Sequence, residues 1–460
     1  IVELVYCDDA TMPVALGFEK DCFVAVDTAS GDELCRVSCG GGHRSWDFAR
    51  VGGGVQLRTF VYLRDKEVRA NVVSAPTGLA KLGLAQAVQP PFSGREVLCA
   101  VHVAGDGDGD GFVVTGGEDC QARITRDGVA AAAPWTAVTQ AGRAAQGHTS
   151  SIRCMCLIEE AEESCDRVIF TAGGNGQLKS WAPVMHGDQL QLQRLSEWPP
   201  RGRTEDYRLM AMVPFKHRKG LGLLVACSDG DLRTFTVTTS DYRPALTGSS
   251  PFHQRCVLSL GRVDVCGQQL ALSGATDGRV ALWSLGTADA EVSPQLDAPL
   301  TTFSAHQSGI NAIAVQASSL GDVAPTMLVV TGGDDNAITV GWWRCTKDGG
   351  ALVLSRLAHK TLLSAHASSV TDVELLGLGR FASVGADCRL TVWAVDGDGD
   401  AQPVPPREEA HGAAELDCRL LHSVHLEVED PQSVTCVTHP RGADLLVTGC
   451  GLQAVRLLPP

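Results

Sequence analysis

The chain has 460 residues, 44% of them apolar and only 5% aromatic, with 50 glycines and 20% charged residues. That length allows about three ordinary domains; the apolar share supports a large core, the dispersed glycine excludes collagen, and a mean hydropathy of +0.04 excludes a disordered polyelectrolyte. The balance of 38 basic against 53 acidic residues gives a net charge of −15, so the surface as a whole repels a phosphate backbone and any nucleic-acid contact is confined to a local basic patch.

Apolar runs are short, as in Leu221 to Cys227, and no membrane span is expected. The 17 cysteines are odd in number and form no CxxC. Most sit inside apolar runs (Cys99, Cys154, Cys227, Cys436), which predicts reduced core thiols and a cytoplasmic or nuclear protein, with cytoplasm preferred. The chain opens Ile1-Val2-Glu3 without an initiator Met, so a piece of a longer protein is expected.

Along the chain one pattern recurs: a β-branched run, a Gly-rich turn carrying Asp or Asn, then an alternating run. Degenerate turns stand at Asp21 and Asp65, followed by clear ones at Thr115–Asp119, Thr171–Asn175, Val225–Asp229, Ser273–Asp277, Thr331–Asp335 and Ser383–Asp387, and a last degenerate one at Gly451. Their mean spacing is about 54 residues. Each turn joins two period-2 runs, which predicts a β-hairpin.

Two further positions keep step with the turn. An aromatic follows six residues after the Asp or Asn at Trp181, Phe235, Trp283 and Trp393, and is displaced by one at Trp342. Upstream stands a His after a small or aromatic residue: Gly147-His148, Phe252-His253, Ala305-His306 and Ala365-His366. These linked positions resemble the WD-repeat family. The resemblance implies an all-β fold, four antiparallel strands per repeat, and a ring-shaped propeller. It also implies a hydrogen-bonded tetrad of His, Ser/Thr, Asp and Trp in each full repeat. Two copies carry all four members, His253-Ser273-Asp277-Trp283 and His366-Ser383-Asp387-Trp393. A third, His148-Thr171-Asn175-Trp181, has Asn for Asp, and a fourth, His306-Thr331-Asp335, has its Trp displaced. Other copies place Thr125 or Asn71 in the Trp slot. Recurrence in several repeats identifies these groups as structural, since an enzyme needs its Ser-His-Asp set only once.

Nine turns exceed the family's usual seven blades. The stretch Val72 to Arg95 is poor in hairpin signals, and cutting there assigns residues 96–460 to one seven-bladed ring. The last copy ends at its third strand, so residues 77–95 are expected to serve as linker and closing strand. Residues 1–76 become the last two blade units of an upstream propeller. A single ring of eight or nine units is the rival arrangement.

Catalytic and cofactor signatures are absent: the sequence has no GxxxxGK[ST], HExxH or GxSxG. Asp106, Asp108 and Asp110 fit the first ligand positions of a calcium loop, but the twelfth position is Gly117 and a strand follows. This run and Asp396–Asp400 therefore read as acidic connecting loops, and no metal or cofactor is expected. The cluster Lys216, Arg218 and Lys219, with Arg201 and Arg203 upstream, is a candidate contact for RNA phosphates or an acidic partner, against the plainer reading of a solvated loop. After the Trp stand Ala182-Pro183, Ser284-Leu285 and Ala394-Val395, not the Asp-x-Arg of ubiquitin-ligase receptors in the family.

The most individual segment is Ser38 to Phe48 with Phe60 to Glu67. It resembles the WD-repeat regulators of the tRNA wobble-position ribose 2′-O-methyltransferase, a family built from successive propellers. The resemblance implies a non-catalytic subunit that binds the methyltransferase and supports methylation at nucleotide 34 of tRNA. The partner would supply the S-adenosylmethionine site, and tRNA would be met through the local basic patch. The alternative is a WD-repeat scaffold for protein interactions in signalling or trafficking.

Overall fold

The alternating runs fold as antiparallel sheets in which neighbouring strands are neighbours in sequence. The computed structural model describes residues 3–5, 14–27, 33–40, 46–51, 57–64, 67–74, 82–89, 95–104, 111–126, 147–159, 167–186, 189–200, 203–291, 294, 296–318, 325–348, 351–377, 379–395, 416–439 and 442–457. No α-helix occurs among them, and so no helix long and apolar enough to cross a membrane.

Seven sheets follow one another as blades. Blade 1 holds Val97–Val103, Phe112–Gly117 and Ala122–Arg126. Blade 2 holds Ile152–Glu159, Arg167–Gly173, Leu178–His186 and Gln189–Trp198; blade 3 holds Leu209–His217, Gly220–Cys227, Leu232–Val237 and Pro244–Ser250. Blade 4 runs Val257–Val265, Gln268–Ala275, Arg279–Gly286, Thr301–Ser304; blade 5 runs Ile310–Ser318, Thr326–Gly333, Ile338–Asp348, Ala351–Leu362. Blade 6 is Val370–Leu375, Arg380–Gly385, Arg389–Val395 and Cys418–His425. Blade 7 has Ser433–His439, Gly442–Gly449 and Gly451–Leu457, and its fourth strand is Leu82–Gln89. That strand pairs antiparallel from Leu452↔Gln89 to Leu457↔Leu82.

First strands of successive blades lie side by side, and Ser433–His439 of blade 7 lies beside Val97–Val103 of blade 1, so the seven sheets close on themselves. The chain is thus an all-β propeller. Burial differs by strand for a geometric reason. Inner strands alternate, as in Val257–Val265, because one edge of their surface faces the central channel. Second strands are covered on both faces by adjacent blades: every residue of Thr326–Gly333 is buried. Such strands read as continuous apolar runs, so the period-2 expectation fails for them. Core clusters span adjacent blades; Phe215, Leu224 and Leu232 of blade 3 pack with Val257, Ala271 and Trp283 of blade 4.

Ahead of the ring, Glu3–Val5, Val14–Glu19, Cys22–Asp27 and Glu33–Ser38 form a four-stranded sheet, and Trp46–Val51, Leu57–Arg64 and Glu67–Ser74 a three-stranded one. They share a small core of Leu16, Phe23, Ala25, Cys39 and Tyr62, with Trp46 edge-on to Phe18 at 5.2 Å. Lys20 Nζ donates to the Ala367 carbonyl beside blade 6 at 2.7 Å. The described cysteines are all free thiols; burial pushes Cys99 and Cys156 up to about 12, which keeps them protonated and inert.

Candidate functional site

The turn between second and third strands must bury polar backbone against the next connection, and blade 6 satisfies it in full. His366 Nε2 is 2.8 Å from Ser383 Oγ, and Nδ1 is 2.9 Å from Asp387 Oδ1. Trp393 Nε1 donates to the same Ser383 oxygen at 3.0 Å, while Ala367 N–H donates to Asp387 Oδ2 at 2.7 Å. Burial alone would raise the Asp387 carboxyl; the hydrogen bonds from His366 and Ala367 outweigh it and hold the group below the ordinary carboxylate range.

The other predicted tetrads are less complete. In blade 4, Ser273 Oγ joins His253 Nε2 at 2.7 Å and Trp283 Nε1 at 2.9 Å, but no hydrogen bond links His253 to Asp277. Asp277 is exposed and its Oδ1 accepts the Arg279 N–H at 3.1 Å, so this copy has three joined members. The residue before the tetrad His is here Phe252, where blades 5 and 6 have Ala305 and Ala365, and its ring stands edge-on to His253 at 5.2 Å and Trp283 at 5.3 Å. In blade 2, Thr171 Oγ1 joins His148 Nε2 at 2.8 Å and Trp181 Nε1 at 2.7 Å, while Asn175 donates instead to Thr149 Oγ1 at 3.0 Å. His148 Nδ1 is left buried without a partner. Burial, with Lys179 nearby, pushes the His148 imidazole down to about 3, so it stays neutral.

In blade 5, His306 bridges Asp335 at 2.8 Å and Thr331 at 2.9 Å without a Trp. The register places Gly341 opposite Val329, in the slot that Trp181 and Trp393 fill in their blades. Trp342 is one residue along and therefore on the other face, packed toward Val370 and Val373 of blade 6. Trp343 returns to the first face, its ring 4.8 Å from Phe303.

Blades 1 and 3 lack the His, and an arginine four residues after the turn Asp takes its place. Arg123 pairs with Asp119, and Arg233 holds Asp229 through both oxygens at 2.9 and 2.7 Å while stacking 3.8 Å over Tyr207. The Asp-x-x-x-Arg spacing was present in the sequence as the signal for this substitution.

Inner-strand side chains tie neighbouring blades across the channel wall: Ser259 Oγ donates to the Ile310 carbonyl at 3.1 Å and Asn311 Nδ2 to the Val370 carbonyl at 2.9 Å. Blade 6 uses acids instead. Asp372 accepts from the Val434 and Val373 N–H groups, both at 2.9 Å, and Glu374 from Cys436 N–H at 3.3 Å. Both carboxyls line the central channel, and burial pushes each up to about 7, aided at Glu374 by the neighbouring Asp372 charge. At the seam of blades 1 and 7, ligand atoms of Glu96, Asp430 and Cys450 lie within 4.8 Å of one another. Sequence reading missed this group because its members are far apart in the chain.

The basic cluster forms the hairpin between the first two strands of blade 3. Lys216, Arg218 and Lys219 are exposed, and Arg218 pairs with Glu291 at 2.8 Å. Gln269 fixes the hairpin, accepting the Lys216 N–H at 2.7 Å and donating to its carbonyl at 2.6 Å. This hairpin lies at the opposite end of the strands from the tetrad turns, because each strand reverses direction. Arg203 precedes Leu209 and so belongs to the tetrad end, apart from Lys216–Lys219. Arg201 and the acidic loops with Asp106, Asp108, Asp110 and Asp396–Asp400 lie outside the described residues.

Comparison with known proteins places these features in context. The WD domain, G-beta repeat model matches residues 297–340. That span starts at the outer strand of blade 4 and ends in the third strand of blade 5, so one repeat straddles two blades, the same stagger that leaves blade 7 to be closed by Leu82–Gln89. The chain is similar to the tRNA (34-2'-O)-methyltransferase regulator WDR6 of Rattus norvegicus, 26% identical over 91% of this chain and 43% of the relative. The proteins of that name from Mus musculus and Homo sapiens are 27% and 26% identical over 88% and 83% of this chain. The chain spans less than half the length of these relatives. Among solved structures, the WD40 β-propeller domain of Doa1 is similar in fold, with a TM-score of 0.50 at 13% identity, covering 82% of this chain and 96% of that one.

Proposed function

We propose that this chain is the propeller part of a non-catalytic regulatory subunit that binds a tRNA 2′-O-methyltransferase and supports ribose methylation at position 34. The observation that carries the reading is similarity to WDR6 regulators over most of the chain. The chemistry of the polar groups agrees with it: the His, Ser and Asp sets recur blade after blade, with hydroxyls of Thr171, Ser273 and Ser383 fully buried and engaged by Trp. Such groups fasten turns and have no free nucleophile. The partner enzyme supplies the S-adenosylmethionine site, and the propeller rims meet the partner and tRNA in the cytoplasm. Residues 96–460 are the seven-bladed ring, 77–95 its linker and closing strand, and 1–76 the last two blade units of a preceding propeller.

The test is ribose methylation of tRNA by the methyltransferase with and without the full-length protein, alongside co-purification of the two. Loss of position-34 methylation only when this subunit is absent supports the proposal. Undiminished methylation, or failure of the two to co-purify, returns the chain to a general interaction scaffold.

A further inference from the structure

At blade 4 the open tetrad borders a cavity of about 280 Å³ lined by Phe252, His253, Gln254, Asp277, Arg279 and Thr302. Phe252 forms an aromatic wall and is 42% exposed. Asp277 and Gln254 are exposed polar groups at the same opening, one an acceptor and the other both donor and acceptor. In blade 6 the corresponding Asp387 is drawn onto His366, and the residue before that His is Ala365.

Arginines of blades 3 and 4 stand on the same end of the ring as this cavity. Arg279 lines the cavity and Arg255 follows Gln254. Arg208 occupies on blade 3 the position that Cys256 occupies on blade 4, each carbonyl accepting the N–H of the adjoining turn at 2.9 Å. Arg208 lies close enough to act on the Cys256 thiol, lowering it against the larger effect of burial, whereas Arg153 lines the central channel with its Nε buried. The guanidinium groups of Arg208, Arg255 and Arg279 make no side-chain hydrogen bond or ion pair among the described residues. The nearby carboxylates Asp229 and Asp231 are instead taken by Arg233. Asp206 is exposed in the loop before Arg208, and Glu205 lies against the turn of blade 2 at Gly176.

We propose that this face of blades 3 and 4 is a site for single-stranded RNA, the cavity taking one unstacked base against Phe252 while Arg208, Arg255 and Arg279 neutralise the flanking phosphates. The inference rests on the proposed function, in which tRNA is the partner's substrate. Unpaired bases are the form in which RNA offers planar faces to aromatic side chains. A purely acidic peptide such as poly-glutamate would engage the arginines but leave the cavity beside Phe252 unfilled. A duplex hides its bases. The face is also distinct from the Lys216–Lys219 hairpin, which lies about 26 Å away at the other end of the Leu209–His217 strand.

The experiment uses the 460-residue chain and three labelled probes: an RNA hairpin with an unpaired loop, the same stem as a perfect duplex, and poly-glutamate. Anisotropy titrations at several salt concentrations give affinity and slope, with thermal melts to confirm that each variant folds. Phe252→Ala is expected to weaken hairpin binding about tenfold while Phe252→Tyr retains it. The triple change Arg208→Ala, Arg255→Ala, Arg279→Ala is expected to weaken it about a hundredfold and to reduce the salt slope by about 2. Hairpin binding unchanged in the folded variants, or poly-glutamate or duplex bound as well as the hairpin, overturns the site. Methyltransferase capture by the same proteins separates the two levels. Capture without any response of RNA binding defeats the site alone, and a wild-type chain that captures no methyltransferase defeats the function reading whatever the RNA result.

Discussion

Ser383 Oγ lies 2.8 Å from His366 Nε2 and at the same time accepts the Trp393 N–H, so one hydroxyl satisfies two buried nitrogens. Ser383→Ala leaves both without a partner and is expected to cost about 2–4 kcal/mol of unfolding free energy. Asp277→Ala removes an exposed group that caps one backbone N–H, and is expected to cost under about 1 kcal/mol. Urea denaturation of the two variants measures the difference; equal costs would show that the tetrads bear no special load.

Gly278 in the blade 4 turn has φ +76°, and a Cβ there would collide with the His306 carbonyl. Gly267, at φ +71° in a first hairpin, has open space around it. Gly278→Ala is therefore expected to lose about 3 kcal/mol or more, combining backbone strain with displacement of the His306 loop, and Gly267→Ala only about 1 kcal/mol. Melting temperatures ranked in the opposite order would refute this account.

Stability is expected to vary with pH in two opposing ways. Asp372 and Glu374 are raised to about 7 when folded, so the folded chain holds protons there that the unfolded chain has released, and stability falls as pH climbs from about 4 to 7. His148 is lowered to about 3, so the unfolded chain gains protons first as pH drops below about 6.5, and stability falls in that direction too. Two channel acids outweigh one histidine, so a melting series is expected to peak near about pH 4 and to decline toward pH 7. Glu374→Gln should flatten the alkaline limb, and an unchanged limb would mean that the channel acids titrate normally.

The closing strand can be tested by proline. Adjacent residues in a regular strand point their N–H groups in opposite directions, so Gly83→Pro with Leu84→Pro, paired in register with Arg456 and Val455, removes whichever one faces Gly451–Leu457. The expected outcome is a lower melting temperature together with concentration-dependent association by light scattering, because the third strand of blade 7 becomes an open edge. A stable monomer would show that this pairing is dispensable.

For the Lys216–Lys219 hairpin, joint replacement of Lys216, Arg218 and Lys219 by Ala is expected to weaken tRNA binding and reduce its salt slope. Arg218 is already paired with Glu291, so the loss of slope should be nearer two phosphate contacts than three. Unchanged tRNA affinity removes this rim from RNA binding.

The repeat was legible because turns and burial are local. Asp-Gly turns, the His preceding each inner strand and the Trp six residues after the turn all follow from short-range geometry. What could not be read was side-chain choice in three dimensions. Nothing in His253-Ser273-Asp277-Trp283 announced that Asp277 would stand exposed and apart from His253, since side-chain orientation is settled by three-dimensional surroundings. The displaced Trp342 was visible, but not its departure to the opposite face, because the alternation of the strand decides sides and the slot itself fell on Gly341. Nothing in the sequence marks Asp372 and Glu374, in a six-residue strand, as channel groups; closure of the ring brings the Val434 and Cys436 N–H groups onto them.

The seam has a consequence for how the molecule is made. Gln432 Nε2 and Glu96 Oε2 meet at 3.4 Å across 336 residues of chain, and Leu82–Gln89 waits still longer for Gly451–Leu457. During synthesis that strand emerges first and remains without its partner while all of the other blades are translated. Assembly therefore ends with the most distant pairing in the ring, the kind of contact that folds slowly and leaves an adhesive edge exposed in the meantime. A ribosome that stalls within blade 7 would release a chain with nearly all of its core built and its circle unjoined, a natural client for chaperones.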